Sequence, residues 1–269
     1  MSIFTHTFPL YIKNQLNDRG NILAIGNKKN TSRTSKTKKY PAGAFFTNTI
    51  ERQCVIRLCS GVDLNEIGEK NILKNKKERD NWVGVGLAKK WILEGGIPQE
   101  NKNVLFPRSG FTGNNTAYGD PMTRSDAGDG FGIVPMPGII DASIKVKSAY
   151  GSLREAKVNF VCHNRRQLEI LEALYMRPGY NLLLEYGWTP YIKTGLKTNI
   201  TTKDNEFPLL TEFFDGSKSI SQLNEAILDR KIESGGNYDA HLGVCKNFEI
   251  KVREDGGYDC STTIISMGE

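Results

Sequence analysis

The chain has 269 residues, 38% hydrophobic and 25% charged, which suffices for one large or two small domains with a real core and excludes a disulfide-stapled miniprotein. Its 27 glycines and 10 prolines exclude collagen-like or wholly disordered material, and no run reaches the ~18 uncharged apolar residues of a spanning helix, so no membrane insertion is expected. The formal charge of +6 sits in one segment: Lys28, Lys29, Arg33, Lys36, Lys38 and Lys39 form a run with no acidic residue, and the rest of the chain holds 30 charges of each sign.

That run is diluted by Ser, Thr and Asn, which predicts a solvated loop or an arm ordered by a partner, with phosphate binding as the lesser reading. Met1 to His6 lack the basic start and apolar stretch of a signal peptide, so synthesis and retention in the cytosol are expected. Residues 8–16 have the spacing of a short helix, and 53–59 that of a strand ended by Gly61. Residues 80–93 carry Trp82, Val85, Leu87, Trp91 and Ile92 and are expected to turn helical in their second half, until Gly95 and Gly96 stop them. The stretch 107–132 is rich in Gly, Ser, Asn and Asp and reads as a long loop.

Beyond Gly132 the periodicity sharpens. Ile140, Ala142, Ile144 and Val146 share one parity of a strand over 139–147; after a turn at 150–152, Ala156, Val158, Phe160 and Cys162 share one parity of the next, which predicts a hairpin. Asn164 and Gln167 have the spacing of a capping box before a helix over 165–176 with the stripe Leu168, Leu171, Leu174 and Tyr175. Pro178 and Gly179 stop it, and Leu182, Leu184, Tyr186 and Trp188 line one face of a strand over 180–188. Residues 189–218 are a polar insertion whose apolar residues Phe207, Leu209, Leu210, Phe213 and Phe214 predict docking onto another surface. A helix over 219–233, capped by Ser219 with Gln222 and striped by Ile220, Leu223, Ile227 and Lys231, ends at Gly235 and Gly236. In the next strand Val244, Phe248, Ile250 and Val252 alternate with Cys245, Asn247, Glu249 and Lys251; a turn at 255–257 leads to a last strand over 258–267.

Motifs that carry chemistry are sparse. Cys54, Cys59, Cys162, Cys245 and Cys260 contain no CxxC pair, which argues against zinc, and the last three fall at apolar positions where a free thiol acts as a small hydrophobe. His6, His163 and His241 have neither an acid nor a nucleophile beside them in sequence. Residues 84–89 lack Walker spacing, Asp126 and Asp129 lack the terminal glutamate of a calcium loop, and the sequons at Asn114 and Asn199 carry no weight without a secretory signal. No catalytic, cofactor-binding or metal-ligating residue is assigned, and the chain is expected not to be an enzyme.

The order strand, strand, helix, strand, insertion with helix, strand, strand favours an antiparallel sheet or small barrel with helices on one side, an α+β fold. At this point a family can be compared. The block 138–145 (Gly-Ile-Ile-Asp-Ala-Ser-Ile-Lys), then 151–156, then 171–180 with Arg177-Pro178-Gly179-Tyr180, and 184–188 ending in Gly187-Trp188, resembles the tube-type barrel of phage tail hubs and the related VgrG proteins of type VI secretion. Residues 243–250, with 255–257 and 266–268, are similar to the closing hairpin of that domain. The resemblance covers a tail-tube or hub-like barrel over 131–269 interrupted by the insertion 189–218; the loop-rich N-terminal region 1–130 and the insertion have no counterpart in it and are expected to be arms that dock on neighbouring baseplate or sheath-side proteins or between subunits.

It further implies a structural role in the virion, assembled in the host cytoplasm: barrels side by side in a ring that joins the tail tube to the central spike around an axial channel. Expected partners are copies of the chain or homologous barrels, with tube, spike and baseplate proteins, and DNA passing transiently through the channel; no cofactor is implied. Alternation such as Lys145 and Lys147, or Lys157 and Asn159, suits a channel wall, and side-by-side packing covers strand edges. The family's trimeric hubs carry two such barrels per chain and this sequence shows one, so a tube or tube-initiating protein in a hexameric ring is the alternative. A nucleic-acid-binding protein using 28–39 is more remote, and a hydrolase would need perturbed acids in a cleft such as Glu155 or Glu185, where Glu155 beside Arg154 reads as an ion pair.

Overall fold

The structure, a computed structural model, describes residues 9–27, 53–63, 88, 91–96, 137–147, 153–189, 191–193, 201–203 and 210–267. In chain order the elements are α1 (Leu10–Asn27), β1 (Gln53–Ser60), β2 (Leu93–Gly96), β3 (Gly138–Val146), β4 (Arg154–Cys162), α2 (Arg165–Tyr175), β5 (Asn181–Thr189), β6 (Tyr191–Lys193), β7 (Thr201–Lys203), a 3-10 turn (Thr211–Phe214), α3 (Ile220–Glu233), β8 (Tyr238–Val252) and β9 (Tyr258–Ser266). Seven strands form one sheet in the order β2, β1, β5, β8, β9, β4, β3, antiparallel at every pairing, while β6 and β7 form a separate small hairpin.

The sheet is curled into a half-barrel, and two bonds to one helix end reveal how strongly. Ser60 on β1 and Thr262 on β9 lie three strands apart in the sheet, about 14 Å if it were flat. Their hydroxyls nevertheless donate to adjacent carbonyls at the end of α2, Leu174 at 2.7 Å and Tyr175 at 2.9 Å. Only the concave side of a curl brings them so close. The same bonds satisfy late helix carbonyls that lack intrahelical donors. Strand twist supplies the curl, and bulges between Ile139 and Asp141 and between Cys245 and Asn247 sharpen it. At the far ends the edge strands approach: a Cβ on Gly95 of β2 would stand 3.1 Å from the Cβ of Ile139 on β3.

The concave side is the core. Ala156, Val158, Phe160 and Cys162 of β4 are wholly buried, as are Leu58, Leu182, Leu184 and Ile264 on the neighbouring strands and Leu171, Leu174 and Tyr175 of α2. Phe160 meets Tyr175 edge to face with centroids 6.4 Å apart. The Tyr175 hydroxyl reaches the carbonyls of Leu58 and Trp91 at 3.0 and 2.7 Å, tying α2 to β1 and to Trp91, two residues ahead of β2. Asn164 caps α2 by accepting from the Gln167 amide at 2.8 Å, and the Gln167 side chain accepts in turn from the His163 amide. In α3 the full capping box of Ser219 and Gln222 forms.

Five local expectations are corrected. The first helix runs to Asn27 and not to residue 16, because no proline follows Pro9 in this stretch to stop it; none of its described residues joins the core. Gly95 and Gly96 do not terminate a helix but lie in β2, where the missing side chain of Gly95 admits Ile56, 2.8 Å from its would-be Cβ, as well as Ile139. The β3 bulge turns Ile140 outward, so Ile139 takes its place opposite Phe160. The β8 bulge puts Cys245 on the concave side with Phe248 and Ile250, and Val244 on the other; β8 also starts six residues earlier than expected, at Tyr238. Two strands of the sheet, β1 and β2, come from the first 130 residues. The stretches 28–39 and 107–132 lie outside the described residues.

Candidate functional site

The convex side divides into a covered and an open part. Over β1, β5 and the first half of β8 it is covered by the insertion: Leu210, Phe213 and Phe214 are buried, the two rings packed edge to face at 5.4 Å, and Phe213 fills the space beside Gly61. Phe207 and Leu209 lie outside the described residues, as does the whole basic set Lys28, Lys29, Arg33, Lys36, Lys38 and Lys39.

Beneath this cover sits an ion pair that the sequence reading missed. Register aligns Arg57 of β1 with Glu185 of β5, and their side chains meet at 3.1 Å, 7% and 0% exposed. The other Glu185 oxygen accepts from the Leu210 amide at 2.9 Å and the Tyr238 hydroxyl at 2.8 Å. Burial, then the Glu185 charge, pushes the Tyr238 phenol well above its ordinary range, so it stays protonated and donates. One carboxylate thus fastens the insertion to three points of the sheet. The legible signal was a single charge of opposite sign within each of two apolar strands, Val55-Ile56-Arg57-Leu58 and Leu183-Leu184-Glu185-Tyr186.

Over β3, β4, β9 and the second half of β8 the convex side is open, and its side chains form ordered cross-strand rows. Asp141, Asn159, Ser261 and Glu249 stand abreast, and so do Ser143, Lys157, Thr263 and Asn247. The Asn159 amide donates to Asp141, Lys157 pairs with Glu249 at 3.2 Å, and Ser261 donates to the same Glu249 oxygen. Glu155 lies between Lys147 at 3.3 Å and Lys246 at 3.0 Å. Bonds from Lys246, then Lys147, hold its carboxyl below the ordinary carboxylate value. The partners of Glu155 are therefore the two lysines across the sheet, not the neighbouring Arg154 expected from sequence. Exposed pairs of this kind are screened by solvent, so they orient the surface more than they stabilise the fold.

The resulting wall is polar, of mixed sign and locally neutralised. A groove of roughly 510 Å³ lies where α3 meets the start of β8, lined by Leu228, Lys231, Asp239, His241 and Met267 among others; Lys231 bonds Asp239 at 2.7 Å across it, which fastens α3 to the strand. Among the described residues no group of three or more His, Cys, Asp and Glu side chains could hold a metal ion, and no described helix is long and apolar enough to cross a membrane. Comparison with protein-family models, with curated proteins and with solved structures finds no match for the chain.

Proposed function

We propose that this chain is a structural protein of a phage tail, a subunit of the baseplate-hub ring that joins the tail tube to the central spike around an axial channel. The observation that carries the reading is the open convex wall: four neighbouring strands present aligned polar rows on a curled sheet whose other side is filled by its own core. In this reading the sheet is a tube-type barrel, its polar wall faces the channel, and neutralised lysines such as Lys157 and Lys246 let a polyanion pass without holding it. Neighbouring copies cover apolar side chains left open at strand ends, such as Val252 and Val146, 68% and 61% exposed.

A second reading, a tube or tube-initiating protein, is favoured by the one seven-stranded sheet among the described residues, since one curled sheet per chain calls for six copies to close a sixfold ring. Mass measurement in solution with negative-stain images of the purified chain, alone and mixed with tail-tube and spike proteins, tests both. Rings of three copies, or incorporation at the tube-to-spike junction, fit the hub; homomeric six-copy rings that seed tube growth fit the initiator. A monomer with no affinity for tail components overturns both.

A further inference from the structure

Cys162 and Cys260 bring their sulfurs to 3.8 Å inside the sheet, 0% and 3% exposed. Register explains the meeting: Phe160 pairs with Cys260 and Cys162 with Tyr258, so the two cysteines are diagonal neighbours on adjacent strands and face the same concave side. Diagonal neighbours stand about 7–8 Å apart, a little beyond the ~6.8 Å that a disulfide spans between Cα atoms, so a bond requires a small local approach of β4 and β9. The site lies where such movement is easiest. Cys162 is the last residue of β4, and Cys260 is the third of β9, just after the turn containing Gly256 at φ 81°. Gly257 of that turn rests against the Cys162 carbonyl, so opening of the turn uncovers the pair.

We propose that Cys162 and Cys260 are a redox-exchangeable pair, a dithiol in reducing surroundings that a low-molecular-weight disulfide of the glutathione type converts into a covalent β4–β9 bridge. The inference stands independently of the tail assignment. The two thiols share one hydrogen bond in which either can donate; it lowers the Cys260 thiol and raises that of Cys162, and Cys260, just past the turn and the less fully buried of the two, is the first nucleophile. Its thiolate attacks one sulfur of the reagent, the reagent's S–S bond breaks, and one small thiolate leaves and takes up a proton. Cys162, on losing its proton to solvent, attacks the mixed disulfide at the Cys260 sulfur and expels the second small thiolate, which is protonated in turn. Two protein thiols are oxidised to one disulfide while the reagent is reduced to two thiols. A bond forced on diagonal neighbours is easily reduced again, which suits exchange rather than permanent stapling.

The full chain, reduced and carrying Cys54→Ser to remove the exposed thiol, is titrated with glutathione disulfide, quenched in acid, alkylated in denaturant and digested without reductant for mass spectrometry. The expected result is a peptide linking 162 to 260, two of the remaining thiols lost, and their full return on adding reductant. With Cys162→Ser as well, the expected product is a mixed disulfide on Cys260; the mapping of the parent chain decides the matter if that variant does not fold. Alkylation of Cys162 and Cys260 throughout a titration that links them once the chain is unfolded overturns the proposal. A link from either one to Cys59 or Cys245 overturns it as well.

Discussion

Glu185 holds the insertion down, so substitutions there separate fastening from core packing. Glu185→Ala removes the carboxylate facing Arg57 and strips the acceptor from the Leu210 amide and the Tyr238 hydroxyl. The expected loss is about 3–5 kcal/mol in urea unfolding, with new protease cleavage near 210–214; the double variant Arg57→Met with Glu185→Leu should recover only part of it, because it leaves no buried unpaired charge while the Leu210 amide and the Tyr238 hydroxyl still lack their acceptor. Glu155 gives a pH signature. Its folded carboxyl is held below the ordinary glutamate value, so its contribution is present above that value and disappears as pH falls through the folded one. The difference in urea midpoint between the parent and Glu155→Gln is therefore expected to be small and constant near neutrality and to vanish on acidification, and a difference that grows toward acid contradicts the lysine clamp. Glu155 and Glu185 were both legible as charges on strands; their partners were not, since Lys246 and Arg57 are 91 and 128 residues away in the chain.

At the scale of elements, α2 depends on the sheet for its ending. Tyr175→Phe keeps the ring on Phe160 but removes the hydroxyl shared by Leu58 and Trp91, and a loss of about 1–3 kcal/mol in denaturant unfolding is expected from buried carbonyls deprived of their donor. Gly243 sets the distance between β8 and β9: an added Cβ would collide with the Ile265 carbonyl and lie 2.7 Å from Ile264 Cγ2. Gly243→Ala is expected to cost about 1–3 kcal/mol or more, whereas Gly216→Ala, with nothing within 4 Å, should be nearly neutral by the same measurement. Both helices over the sheet were readable because their caps are local: Asn164 with Gln167 and Ser219 with Gln222 act within three residues. The strands were readable where alternation is clean, as in β4, and misread where a bulge inverts parity, as at Cys245.

At the scale of the whole molecule, the ring reading turns on what covers the outer end of β8. Ile250 and Val252 are 40% and 68% exposed there on the concave parity of the strand, where they add little to the isolated fold. Ile250→Asp with Val252→Asp is expected to reduce assembly in light scattering and in mixing with tail components, while shifting the unfolding free energy of the subunit by no more than about 0.5 kcal/mol per site. Assembly that persists unchanged removes this end of the sheet from the interface.

The sequence by itself determined the local inventory, the β3–β4 and β8–β9 hairpins and the two capped helices, because hydrophobic period, caps and turns act over a few residues. Tertiary structure alone decided that β1 joins β5 and carries β2 on its other side, that the sheet curls around the end of α2, and that Arg57 meets Glu185. Alternation says which side of a strand is turned inward but not which strand lies beside it. That choice rests on burial shared between residues far apart in the chain.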